Sequence, residues 1–97
     1  MVLHTLNAAP GSTAFSDCLR LLKQSDILLL LGDGTYAALK GTDGCSELKN
    51  SGAEIHLLEP DARAAGIVDR LDMQFKLVDF DTFAALSERC PTQQAWY

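Results

Sequence analysis

Three thiols, two imidazoles and a few carboxylates at loop positions are the side chains in this sequence that could do chemistry. Cys18, Cys45 and Cys90 are widely spaced, with no CxxC pair and no cysteine-histidine cluster at metal-ligand spacing. Thiol chemistry here would therefore be nucleophilic or redox, and either needs an accessible thiolate. Cys45 follows the glycine of TDGC, where a short helix begins. A helix N-terminus lowers a thiol pKa, so local chemistry favours Cys45 as a reactive group. Cys90 ends the last helix, where the helix dipole disfavours a thiolate. Cys18 sits inside FSDCLRLLKQSD, in mid-helix. There the dipole helps little, and a free cysteine of this kind is read as a small core hydrophobe.

The carboxylates offer a second chemistry. GDGT, Gly32 to Thr35, and DFD, Asp79 to Asp81, each follow an apolar run. Asp33, Asp79 and Asp81 together would suit magnesium, a hard cation that takes oxygen ligands. The plainer reading has Asp79 or Asp81 capping the last helix. GDGT could offer backbone N–H groups to a phosphate. It lacks the GK[ST] ending of a phosphate loop and reads better as a tight turn. His4 and His56 each lie in mid-strand among apolar residues, without a second ligand at metal spacing, and read as hydrogen-bonded structural groups.

These side chains are positioned by alternating strands and helices. VLHTL, ILLLL, EIHLL and FKLVDF are strand candidates. ILLLL is apolar throughout, as expected of a strand buried on both faces. Between the first two, Ser12 or Thr13 caps a helix running to about Gln24. Phe15, Cys18, Leu19 and Leu22 form its apolar stripe. CSELKNSG and EPDARAAG read as short helices stopped by Gly52 and Gly66. The last helix spans about Asp81 to Arg89, and Pro91 prevents its continuation. TQQAWY reads as a terminal segment whose Trp96 and Tyr97 dock on the body or in a subunit interface. The pattern predicts one small α/β domain over residues 1–97, with a mainly parallel sheet of four to five strands and helices on both faces. Ligands of such sheets lie beyond the carboxyl ends of the strands, here NAAPG, GDGT, EPDA and DFD.

The net charge of −5 argues against direct nucleic-acid binding, which needs lysine and arginine to neutralise phosphates. The odd, dispersed cysteines suit a reducing compartment rather than a disulfide framework. The longest apolar run is five residues, and MVLHTLNAAPG has no basic segment followed by an apolar stretch. Neither a membrane span nor a signal peptide is expected.

LHTLN followed by a proline, LLLLGDGTYAAL, LLEPDARAAG, LVDFDTFAAL and the final QAW occur in an order and spacing that resembles the DsrH/TusB family of the DsrE/F/H-like sulfur-relay superfamily. The resemblance runs from Leu3 to Trp96. It implies an α/β domain in a cytoplasmic heterohexamer, a dimer of trimers built with DsrE/TusD-type and DsrF/TusC-type subunits. It implies a relay of persulfide sulfur toward 2-thiolation of the tRNA wobble uridine, or, in sulfur oxidisers, dissimilatory sulfur metabolism. The principal sulfur-carrying cysteine of such assemblies belongs to the DsrE/TusD-type subunit. Some DsrH-type members carry a cysteine in the first helix, and Cys18 falls at that position, which makes it the candidate sulfur carrier of this chain. The family's ARG after the third strand is replaced by Ala64-Ala65-Gly66. Under this resemblance no cofactor or metal is expected; the alternative from the residues alone is a small magnesium-dependent enzyme using Asp33, Asp79 and Asp81.

Overall fold

The computed structural model describes residues 1–97. Five strands, β1 (Val2–Leu6), β2 (Ile27–Leu30), β3 (Glu54–Leu58), β4 (Lys76–Val78) and β5 (Thr92–Trp96), form one sheet in the order β4-β3-β2-β1-β5. All neighbouring pairs are parallel. Four helices connect them: α1 (Thr13–Leu21), α2 (Asp43–Asn50), α3 (Glu59–Ala64) and α4 (Phe80–Arg89). A 3-10 helix, Gly32–Ala38, follows β2.

Every residue of β2 is buried, as its unbroken apolar run predicts. Strand pleating sends Leu28 and Leu30 to one face and Ile27 and Leu29 to the other. On the first face they join Phe15 and Cys18 of α1 and Leu48 of α2. On the second face they join Leu3, Val78, Leu86 of α4 and Cys90. Helices therefore cover both faces. The reversal of strand order after β4 carries α4 across to the second face.

The helix ends follow their side-chain chemistry. Ser12 Oγ accepts the Phe15 N–H at 3.1 Å and starts α1. Thr42 Oγ1 accepts the Cys45 N–H at 3.3 Å and starts α2. Asp79 Oδ1 accepts the Thr82 N–H at 2.8 Å and starts α4. α1 stops at Leu21 because Leu22 is already extended, a turn short of the expected Gln24.

Two expectations are corrected. FKLVDF contributes only Lys76–Val78 to the sheet, because Asp79 is taken as a helix cap and Phe80 opens α4. The segment TQQAW, read as a terminal tail, is a strand paired with β1 from Val2↔Thr92 to Leu6↔Trp96; Trp96 does dock on the body, against the first core and His4, whereas Tyr97 is exposed. Thr92 to Ala95 are exposed. Before Trp96 the strand's order therefore rests on main-chain hydrogen bonds, which no apolar pattern announces.

Candidate functional site

At the carboxyl ends of the strands, the GDGT turn is built for packing. A Cβ on Gly34 would lie 2.2 Å from the Leu6 carbonyl oxygen, so only glycine lets the turn approach β1 this closely. Gly32 has φ +52°, and its N–H donates to Asp61 Oδ2 at 2.7 Å. A donor that could have served a phosphate is thus committed to a carboxylate of α3. Thr35 Oγ1 donates to the Gly32 carbonyl at 2.8 Å and closes the turn on itself.

Beside it lies a cavity of about 250 Å³ lined by Gly32, Asp33, Tyr36, Asp61, Ala64 and Ala65. Ala65 stands at the position of the arginine in the ARG that the resemblance implies. Arg63 is engaged instead with Glu59 Oε1 at 3.2 Å on the exposed side of α3. The structure does not assemble Asp33, Asp79 and Asp81 into a magnesium site. Asp33 follows β2, the other two flank the start of α4 beyond β4, and β3 lies between. No group of three or more His, Cys, Asp or Glu side chains is placed to hold a metal ion. The Asp79 carboxyl lies below the usual range, held there first by the Thr82 N–H it caps.

All three thiols are free and buried. Cys18 is 0% exposed, packed among Phe15, Leu22, Leu28 and Leu48. Burial pushes its pKa up to about 12. Cys90 lies in the second core with Leu3 and Leu86. Cys45 does stand near the start of α2, but the inference drawn from that position fails. The residue is 2% exposed, and its Sγ donates to Asp72 Oδ2 at 3.7 Å. Burial and then the Asp72 charge raise its pKa, outweighing the opposing Lys49 ammonium. Lys49 itself pairs with Asp72, whose carboxyl is held low first by that contact. Burial first, and then a carboxylate 27 residues away, have overridden the helix N-terminus.

A second buried carboxylate with three partners is one that sequence reasoning passed over. Asp26, 4% exposed, precedes β2. Its Oδ1 accepts the Val2 N–H at 2.9 Å, and its Oδ2 accepts the Lys23 N–H at 3.0 Å and meets His4 Nε2 at 3.1 Å. Burial raises its pKa, but the Val2 and Lys23 N–H groups and His4 together hold the carboxyl below the usual range. His4 Nδ1 in turn accepts the Trp96 Nε1–H at 3.1 Å, with the two rings stacked at 22°. An indole nitrogen can only donate. Nδ1 is therefore the acceptor, and Nε2 carries the proton given to Asp26. The chain Trp96–His4–Asp26 ties β5, β1 and the turn before β2 together, as expected of a structural histidine. His56 Nε2 contacts Glu54 Oε2 at 2.7 Å, and its buried Nδ1 has no partner.

Comparison with known proteins places this fold. The family described as DsrH like protein matches residues 9–93. Protein TusB of Escherichia coli is 37% identical over 95 residues, covering 98% of this chain and 100% of its own length. Protein TusB of Pectobacterium parmentieri is 35% identical over the same coverage. The crystal structure of ychN protein from E. coli superposes with a TM-score of 0.81 at 18% identity, over 97% of each chain. The solution structure of Protein Tm0979 from Thermotoga maritima superposes with a TM-score of 0.69 at 19% identity, over 92% of this chain and 93% of that one. The two structures speak for the fold alone. The match across residues 9–93 and the identity to TusB proteins along their full length establish that the chain belongs to the DsrH-like family.

Proposed function

We propose that the chain is an accessory subunit of a cytoplasmic sulfur-relay complex that passes persulfide sulfur toward 2-thiolation of the tRNA wobble uridine. The observation that carries the reading is the relationship to TusB proteins along the whole chain. The geometry of the thiols supports the accessory part. Persulfide transfer needs a thiolate that can reach the outer sulfur of a donor. Cys18, Cys45 and Cys90 are all buried, and the first two are shifted away from the thiolate. In the closed subunit Cys18 packs, and the sulfur-carrying thiol is supplied by a DsrE/TusD-type partner. Cys18 is the thiol of this chain to test as a carrier, and loading it requires α1 to lift from the sheet. No helix is long and apolar enough to cross a membrane, and the acidic net charge suits a subunit that does not grip tRNA itself.

The test is co-expression with the related DsrE/TusD-type and DsrF/TusC-type subunits, followed by native mass spectrometry. The expected species is a heterohexamer containing this chain. A chain that stays alone beside its cognate partners refutes the assembly.

A further inference from the structure

β5 closes the sheet with its outer edge free. On its inner side the Trp96 carbonyl accepts the Asn7 N–H at 3.0 Å, which continues the ladder to β1. In a strand the N–H and C=O of one residue point to the same side, and successive residues alternate. Thr92, Gln94 and Trp96 therefore turn their backbone groups to β1, and Gln93 and Ala95 turn theirs outward. The Gln94 Nε2–H caps the outward Ala95 carbonyl at 3.4 Å, a long contact on an exposed edge.

Free edges are usually blunted by charge, proline, shortness or a covering segment. The opposite edge, β4, follows that rule: it is three residues long and carries Lys76. β5 does not. It is five residues, Thr-Gln-Gln-Ala-Trp, with no charge and no proline, and Thr92 to Ala95 are exposed. In a chain of net charge −5, this uncharged strip is a place where two copies can meet without like charges in the contact.

We propose that the β5 edge is a self-association surface whose occupant is β5 of a second copy, antiparallel about a twofold axis at Gln94. Gln93 then faces Ala95 of the second copy, and Ala95 faces Gln93. Each such pair exchanges two N–H···O bonds. Both outward N–H groups and both outward carbonyls of each copy are thereby satisfied, an isologous arrangement that closes on itself. Gln94 faces its own counterpart across a non-hydrogen-bonded site. An interface confined to one edge is small, so the dimer is weak and concentration-dependent.

The geometry gives a direct test on the full-length chain. At a non-hydrogen-bonded antiparallel site the Cα atoms are about 4.5 Å apart, within the roughly 4.4–6.8 Å that a disulfide spans. The native thiols are buried, so the unmodified chain supplies the background. Gln94→Cys under mild oxidation should give a covalent dimer as its main product, at least five times the yield from Glu88→Cys on exposed α4 surface. Adding Ala95→Pro or Gln93→Pro removes an outward donor that β1 does not use, a change edge strands tolerate, and should return the yield to the Glu88→Cys level. Circular dichroism confirms that each variant is folded. A Gln94→Cys chain that stays monomeric, or that dimerises no more than Glu88→Cys, overturns the proposal, and that comparison decides even if a proline variant fails to fold.

Discussion

Cys18 should be close to inert in the folded chain. With a pKa raised from 9.0 to about 12, only about 3 in 10⁵ of its thiols are ionised at pH 7.5, against about 3 in 100 at the ordinary value. Ionisation alone thus slows alkylation by about 1,000-fold. Zero exposure adds the free energy of opening α1, which lies between zero and the global stability of the domain. The assay is iodoacetamide labelling at pH 7.5, native and in urea, with peptide mapping of Cys18, Cys45 and Cys90. The predicted native rate for Cys18 is at least 10³ below its rate in urea. Labelling of Cys18 within tenfold of the urea rate refutes the burial argument and restores it as an open carrier.

Asp26→Ala removes the acceptor for two backbone N–H groups and His4, and should destabilise the domain by about 3–5 kcal/mol in urea titrations. The Asp26 carboxyl is held below its usual range in the fold, so its contribution is fully present above the unfolded value and is lost as pH falls through the folded one. Asp26→Asn should therefore flatten the loss of stability below roughly pH 5 relative to wild type. Trp96→Phe keeps the ring but leaves His4 Nδ1 without its donor, at a cost of about 1–2 kcal/mol and a melting temperature lower by roughly 4–8 °C per kcal/mol. Gly34→Ala places a Cβ against the Leu6 carbonyl and should leave the chain largely insoluble or cut its melting temperature steeply, as read by differential scanning calorimetry.

What the sequence revealed was what is local. ILLLL declared a buried strand by composition, and the caps were narrowed to Ser12 or Thr13 and to Asp79 or Asp81, of which the fold uses Ser12 and Asp79. The stripe of Phe15, Cys18 and Leu22 declared the inward face of α1 by its spacing, and with it the burial of Cys18. What stayed hidden was set by distance along the chain. Asp26 meets His4 across 22 residues and Trp96 meets His4 across 92, so neither pairing leaves a local trace. Cys45 misled because the fold buries it and brings Asp72 against it from the loop before β4. β5 was missed as a strand because an edge held by main-chain hydrogen bonds needs no alternation of apolar and polar side chains. The carboxyl-end rim was expected to hold the chemistry, yet its glycines serve close packing and its free donor at Gly32 is spent on Asp61.

The most direct test of the accessory sulfur-relay reading is the 2-thiouridine content of tRNA, measured by mass spectrometry in cells lacking this chain. The account predicts that wobble 2-thiouridine falls sharply on deletion and returns with either the wild-type chain or Cys18→Ala. Unchanged 2-thiouridine after deletion contradicts the tRNA pathway, and rescue by wild type but not by a folded Cys18→Ala contradicts the accessory role.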